Sequence, residues 1–263
     1  MKPSLIVLML LGLSLTIAAQ KADPFDKPKG LNGKELAKAY FELRTYHCNE
    51  NKRPDLIRRF EDHTLRLLER HGITNVAYFI PTDPNNNSLT FVLAYPDKAS
   101  RDVRWNNFAN DPEWKDAAKK SEANGKLVAR VDQTFMNMVP ELSSEIKKSK
   151  GKQERIFELR TYHCPPGKLE NLKARFRDHT RKLFEKHGMT NVVYWHTVPQ
   201  DGSQPKLVYL LAHKNEEAAK ASFDAFRKDP DWVKVRDASE VKGKIVEKVE
   251  SVYLTPLDFS PLK

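Results

Sequence analysis

Alternating hydrophobic and polar positions predict a β-strand over 40–48, the first element of the chain. The pattern then changes over 53–71, where apolar residues and His63 recur every three or four positions. That spacing is typical of one face of a helix. Gly72 follows, where a glycine commonly ends a helix. A strand and an amphipathic helix therefore open the folded part of the chain.

The same reasoning predicts four further elements and one short helix. The pattern indicates strands over 74–80, 89–95 and 126–138, and a second helix over 98–109, with a polar turn over 83–88. Asp111-Pro112-Glu113-Trp114 has an N-capping acid followed by proline, so a short extra helix is expected there. The resulting order, β-α-β-β-α-β, is the ferredoxin-like arrangement.

The whole unit then occurs a second time. Residues 41–48 recur letter for letter as 157–164, and over 41–78 we count 23 identities in 38 aligned pairs at an offset of 116. Asp229-Pro230-Asp231-Trp232 repeats the short helix start at an offset of 118, so the second copy has two extra residues in the turn between its second and third strands. A repeat of this length is a domain, and any site is expected twice or lost once.

The predicted organisation is a signal peptide (1–19), a tether (20–37), domain 1 (38–139), a linker (140–153), domain 2 (154–257) and a tail (258–263). A four-stranded sheet with helices on one side leaves its other face bare. We therefore expect an α+β fold of two tandem ferredoxin-like domains packed sheet to sheet, as a pseudo-symmetric sandwich or barrel within one chain. A homodimer is allowed but not required.

The first residues have the pattern of an exported protein. Lys2, an apolar run over 5–17 and two small residues after it are typical of a cleaved signal peptide, so a secreted or periplasmic protein is expected. The alternative is a retained anchor helix, but the run is shorter than the roughly 20 residues that a bilayer requires. No second long apolar run follows, so no membrane association is expected after cleavage.

Charge and cysteine content narrow the function classes. The formal net charge is +10, but acidic and basic residues are interspersed through both repeats, and no nucleic-acid-binding signature is present, so a nucleic-acid partner is not expected. The sequence predicts no metal site and identifies no cofactor. The two cysteines, Cys48 and Cys164, occupy equivalent positions, and whether they form a disulfide is open.

Phe41-Glu42-Leu43-Arg44-Thr45-Tyr46, the Gly72–Val76 segment and Asp111-Pro112-Glu113-Trp114 together resemble the NIPSNAP family, here duplicated in tandem. The second copy departs from the first at Ser222, where Arg104 stood. The resemblance implies a dimeric α+β barrel fold, whose relatives include haem-degrading and cofactor-free monooxygenases. It implies no assigned reaction, and the mitochondrial roles of eukaryotic members are not carried over to a chain with a signal peptide.

His63 and His179 are the first candidate ligand contacts. Each lies on the apolar stripe of its helix, within an Asp-His-Thr triplet, so its imidazole is expected to face the sheet. There it could be an iron ligand, a general base or a hydrogen-bonded core residue. His71 and His187 are expected to have a structural role in the last helical turn. His47 and His163 adjoin the cysteines. A nucleophilic Cys-His pair is not favoured there, because adjacent residues of a strand point to opposite faces.

A polar stripe supplies the other candidates. Glu42, Arg44 and Tyr46 share one strand face, and charges in a covered sheet must be paired. One interpretation is a Glu–Arg ladder across the interface of the half-barrels, and the other is a pocket in which arginine orients an anion. The candidate pocket residues, besides the two histidines, are Arg44, Arg160, Tyr46, Tyr162, Tyr78 and Tyr194.

The sequence therefore predicts an exported protein of unassigned activity that binds a small ligand between helices and sheet. The alternatives are an α+β barrel monooxygenase, using haem or no cofactor, and a structural module without a small-molecule site. Catalytic residues are not identified.

Overall fold

The computed structural model describes residues 29–144, 146, 149 and 155–263. The predicted signal peptide, half of the predicted tether and half of the predicted linker lie outside the described residues. Within the described ranges, no helix is both long enough and apolar enough to cross a bilayer.

The predicted order of elements is present in both repeats. The strands are β1 Tyr40–Cys48, β2 Thr74–Pro81, β3 Ser88–Tyr95 and β4 Val128–Met138 in repeat one, and β5 Ile156–His163, β6 Thr190–Thr197, β7 Leu207–His213 and β8 Lys248–Pro256 in repeat two. The helices are α1 Gly33–Leu36, α2 Arg53–Arg59, α3 Leu65–Arg70, α4 Lys98–Asn110, α5 Pro112–Ser121, α6 Leu169–Arg175, α7 Arg181–Lys186, α8 Glu216–Lys228 and α9 Pro230–Ser239. The short helices predicted from the Asp-Pro motifs are α5 and α9, and Asp111 caps the first of them by accepting the N–H of Glu113 at 2.9 Å.

The eight strands form one closed antiparallel barrel in the order β1-β3-β2-β8-β5-β7-β6-β4. Each repeat contributes four adjacent strands. The barrel closes where β2 pairs with β8 over Phe79–Pro81 and where β4 pairs with β6 over Met136–Met138. The expected sheet-to-sheet packing of two ferredoxin-like units is thus confirmed, and the barrel rather than the sandwich is the form it takes.

The barrel interior is an apolar core shared by both repeats. Phe41 contacts Trp195 with ring centroids 5.6 Å apart, and Phe79 contacts Phe157 at 5.1 Å. All four side chains are 0 or 1% exposed. This shared core explains why the two repeats form one body, because each half-barrel alone would expose that surface to water.

The segment that follows the last strand of each repeat packs against the other repeat. After β4, Val139 donates its N–H to the carbonyl of Tyr194 at 2.8 Å, and Leu142 is buried in repeat two. After β8, Leu257 donates its N–H to the carbonyl of Tyr78 in repeat one at 3.0 Å. The two extensions are therefore exchanged between the repeats.

Candidate functional site

The polar stripe on β1 lies on the outer face of the barrel, beneath the helices. Phe41 and Leu43 point into the shared core, so Glu42 and Arg44, at alternate positions, point outward. The interpretation of a Glu–Arg ladder at the interface of the half-barrels is therefore wrong. Alternation along a strand shows which residues share a face. Because both faces of this sheet are covered, the pattern could not show whether the polar stripe faces the barrel interior or the helices.

In repeat one, several hydrogen-bond donors surround the buried carboxylate of Glu42. Arg101 on α4 donates to it through two nitrogens at 3.0 and 3.1 Å, and Tyr95 donates at 3.0 Å. Arg44 and Gln133 also bond to it. Burial alone would raise the pKa of Glu42, but the hydrogen bonds and charges of Arg101 and Arg44 outweigh it and lower that pKa.

Repeat two keeps the glutamate–arginine pair but surrounds it with different partners. Glu158 pairs with Arg160, accepts from Ser251, and lies 3.1 Å from Nε2 of the buried His213. Arg160 also donates to the hydroxyl of Tyr209 at 3.0 Å. A guanidinium group with a carboxylate on one side and phenols on the other is held in a fixed orientation.

Arg160 further donates to the hydroxyl of Tyr162 at 3.4 Å, so the arginine and tyrosine predicted for this stripe do meet. His213 and Tyr209 were missed by sequence reasoning. The signal was present, because at the offset of 118 His213 stands where repeat one has Tyr95, and Ala219 stands where it has Arg101.

Tyr78 and Tyr194 are completely buried on the outer face, under the first helix of each repeat. Each donates its hydroxyl to an asparagine three residues earlier, Asn75 and Asn191 respectively. Burial raises the pKa of both phenols well above the ordinary value. These tyrosines are therefore neutral donors that orient the two asparagines, whose amides in turn donate to carbonyls of the helix layer.

A π-helical turn separates α2 from α3 and changes which residue faces the sheet. The N–H of Leu65 donates to the carbonyl of Phe60, five residues earlier, instead of four. The wider turn places Thr64, which is 3% exposed, at the inward position that His63 would have in a regular helix. The same turn spans Phe176–Thr180 in repeat two.

The two candidate histidines consequently line grooves between helices. His63 lies in a groove of about 330 Å³ between α2 and α5, and His179 lies in the equivalent groove of about 710 Å³ between α6–α7 and α9. Both grooves are open to solvent and edged by charged side chains. The expected placement of these imidazoles against the sheet is not what the structure has.

A buried arginine forms the floor of each groove. Arg175 donates to Ser239 at 3.1 Å and to Glu240 at 3.2 Å, and its guanidinium carbon lies 5.1 Å from the centroid of the Trp232 ring. Arg59 makes the same contacts with the equivalent residues of repeat one. This arginine therefore links α2 to the end of α5 in repeat one, and α6 to the end of α9 in repeat two.

A cavity of about 210 Å³ lies between helices and sheet in repeat two. Its walls are Tyr162, Arg175, Phe176, Thr180, Phe184, Phe226, Trp232, Arg236, Glu240, Val246 and Val249. Of the predicted pocket residues, Tyr162 is the one that lines this cavity. Arg160 does not line it, but it donates to the hydroxyl of Tyr162. The remaining candidates lie in the grooves or in the packed outer face.

Two wall positions of this cavity differ between the repeats. Phe184 replaces Leu68, and Arg236 replaces Ala118. The other walls are the same residue types at offsets of 116 or 118. Repeat two thus combines a more aromatic wall with an additional cation at the same place in the fold.

The two cysteines are free thiols, each part of the helix-facing packing of its own repeat. Burial raises the pKa of Cys48 and of Cys164 to about 11. Among the described residues, no three His, Cys, Asp or Glu side chains are grouped so that they could hold a metal ion.

Comparison with solved structures supports the barrel. The chain is similar to a candidate monooxygenase from Lactobacillus acidophilus, over 83% of this chain and 94% of that chain, with a TM-score of 0.54 and 12% identity. It is similar to a candidate monooxygenase from Fusobacterium nucleatum over 86% and 98% of the two chains, with a TM-score of 0.55 and 9% identity. Identities this low show a shared fold alone.

A NIPSNAP domain protein from Burkholderia xenovorans is 21% identical over 36% of this chain and 90% of that chain, with a TM-score of 0.33. No curated protein matches the chain. The NIPSNAP family model matches residues 41–142 and 157–261, one match for each repeat. Because these two matches cover most of the chain, this tandem α+β barrel belongs to the NIPSNAP family.

Proposed function

We propose that this chain binds a small, largely apolar molecule in the cavity between helices and sheet of repeat two. The observation that carries the proposal is the cavity itself, which is about 210 Å³ in volume and walled by five aromatic rings. Small-molecule sites are typically apolar hollows with a few well-placed polar groups. Here the polar groups are Tyr162, Arg175, Thr180, Arg236 and Glu240.

The volume limits the size of the ligand. An apolar cavity of about 150 Å³ is large enough to bind benzene. A cavity of about 210 Å³ therefore suits one substituted aromatic ring or a short aliphatic chain. A haem group or a nucleotide is much larger than this space.

The larger groove that contains His179 is a weaker candidate, although its volume is about 710 Å³. Its rim includes the exposed side chains Asn171, Asp178 and Lys234, which water solvates without any ligand. Desolvation of a ligand, which strengthens polar contacts, requires an enclosed site. The aromatic cavity is somewhat less open than this groove, and its walls contain phenylalanine, tyrosine and tryptophan rings, which the described residues of the groove lack.

The structural relatives described as candidate monooxygenases share the fold, and the oxidation of an aromatic ligand in this cavity would be consistent with them. However, no histidine is among the described residues that line the cavity. An iron ligand or a histidine general base, the roles considered for His179, is therefore not proposed for this cavity. Ligand binding, without a stated reaction, is the function that these residues support.

The test uses benzyl alcohol, a neutral one-ring compound, and saturation-transfer NMR on the full chain. Val249 lies at the cavity mouth with 41% exposure, and its counterpart in repeat one, Val131, has 42%. Val249→Phe places a ring in the cavity mouth and is expected to abolish saturable binding. Val131→Phe is the matched control and is expected to bind as the unchanged chain does. Equal binding by both variants, or no saturable binding by the unchanged chain, would contradict the proposal.

A further inference from the structure

We infer that the ligand of this cavity carries an anionic group, a carboxylate on a single aromatic ring, and that Arg175 and Arg236 recognise it. The inference rests on the proposed binding site and adds the chemical class of its ligand. It depends on the number and arrangement of charged groups in the cavity wall, and on how that wall differs from the equivalent wall of repeat one.

Arg175 has hydrogen-bonding capacity that its protein partners do not use. Its side chain is 5% exposed, and its Nε has no hydrogen-bond partner among the described residues. One terminal nitrogen bonds to Ser239 and Glu240, as described above. The Nε is covered by protein atoms, whereas the second terminal nitrogen donates no hydrogen bond among the described residues and is the group that a ligand oxygen could reach.

The charge of Arg175 is only partly balanced. Its carboxylate partner, Glu240, is 28% exposed and lies 3.2 Å away through one nitrogen. Burial outweighs the attraction of Glu240 and lowers the pKa of Arg175. A buried cation with one partly solvated counter-ion favours a second anion in contact with it.

Repeat one provides an internal comparison. Arg59 has the same floor position, also lacks a partner for Nε among the described residues, and pairs with Glu122 at 3.3 Å. The tie between helices therefore accounts for the arginine common to both repeats, but not for Arg236, which stands where repeat one has Ala118. Repeat two has a second cation in this wall, against the single carboxylate of Glu240.

Arg236 is available to a ligand despite its neighbour Asp237. The two side chains are paired at 2.8 Å, but they are 44% and 61% exposed. Exposed pairs of this kind contribute little and are easily exchanged. A ligand carboxylate could therefore accept from Arg236 as well as from Arg175, since both line the cavity, and planar guanidinium groups suit carboxylates in particular.

The experiment compares benzoate with benzyl alcohol by NMR titration of the full chain, since the two probes share a ring and differ in charge. Benzoate is expected to bind at least about tenfold more tightly, the difference that one charge-assisted hydrogen bond typically makes. Arg236→Ala, which introduces the residue of repeat one, is expected to reduce the preference for benzoate several-fold and to leave benzyl alcohol unaffected. Arg175→Gln is expected to remove the preference, and Arg59→Gln to preserve it.

The outcomes separate the two proposals. Benzyl alcohol binding that Val249→Phe abolishes, with benzoate no tighter, would retain the cavity and overturn the anion inference. No binding of either probe would overturn both. If thermal melting shows that Arg175→Gln does not fold, Arg236→Ala decides, because repeat one folds with alanine there. A preference for benzoate that Arg59→Gln removes as well would also overturn the inference.

Discussion

Tyr78 donates its backbone N–H to the hydroxyl of Ser260 at 2.9 Å, across 182 positions of the chain. Ser260 in turn donates to the carbonyl of Leu262 at 2.6 Å. In repeat two, Tyr194 makes the equivalent bond to Ser143 at 3.0 Å. The exchanged extensions are therefore fastened to the second strand of the opposite repeat, beside the place where the barrel closes.

Ser260→Ala is expected to lower the free energy of unfolding by about 1–3 kcal/mol, because it leaves the buried N–H of Tyr78 without an acceptor. Urea denaturation measures this loss. Ser203→Ala, at an exposed turn, is the control and is expected to change stability by less than about 0.5 kcal/mol. Equal stability of the two variants would show that the extension does not fasten the barrel.

A second prediction concerns stability in acid. The carboxylate of Asp111 caps α5 and also lies 2.6 Å from Nε2 of His71, while Arg70 donates to it. Burial alone would raise the pKa of Asp111, but the hydrogen bonds from His71 and Arg70 outweigh it and lower that pKa. With the pKa lowered on folding, the unfolded chain binds the proton more readily. The stabilisation is present above the unfolded pKa, about 3.9, and decreases as the pH falls below it.

Asp111→Asn tests this directly, because asparagine caps a helix about as well as aspartate but carries no charge. The variant is expected to be less stable at pH 7, and its difference from the unchanged chain is expected to shrink as the pH falls below about 4. Urea midpoints measured between pH 7 and pH 3 show the trend. A difference that is the same at every pH would rule out an electrostatic contribution.

Much of the fold could be predicted from the sequence because its strongest signals are local or repeated. Strand alternation, the Asp-Pro helix starts and the offset of 116 are all read from neighbouring letters or from two copies of one segment. The barrel then follows from the need to cover two bare sheets. The exchanged extensions could not be predicted, because hydrogen bonds such as that between Tyr78 and Ser260 join distant segments through tertiary packing.

The candidate site was less predictable for two physical reasons. The helical period placed His63 inward, but the hydrogen bond from Leu65 to Phe60 widens one turn and moves Thr64 into that position. The cavity is formed where several elements of repeat two meet, so no single stretch of sequence marks it. Tyr162 was found because it belongs to the β5 stripe, whereas Arg236 lies on an exposed helix face that had no distinguishing pattern.

The cysteines are expected to be reduced and unreactive in the folded chain. With a pKa of about 11 for each, roughly one thiol in a thousand is ionised at pH 8, and the thiolate is the reactive form. Alkylation by iodoacetamide is therefore expected to be at least about 100-fold slower in the native protein than in urea, where the pKa returns to about 8.5. If neither thiol reacts in urea until a reductant is added, the two are joined as a disulfide and the prediction is wrong.

The two carboxylate clusters give the last prediction, which concerns exchange of residues between repeats. Arg101→Ala removes two hydrogen bonds to the buried carboxylate of Glu42 and is expected to cost about 2–3 kcal/mol in unfolding free energy. Lys220→Ala, on the exposed face of α8, is the control and is expected to have little effect.

Repeat two nevertheless has alanine at the position of Arg101, because His213 and Ser251 contact its carboxylate instead. Adding Tyr95→His and Gln133→Ser to Arg101→Ala transfers that arrangement to repeat one. The triple variant is expected to be more stable than the sum of the three single losses predicts, since residues in one hydrogen-bond network are not additive. Urea denaturation of the three single variants and the triple variant measures this coupling. Strict additivity would mean that the partners of Glu158 cannot replace those of Glu42 in stabilising the buried carboxylate.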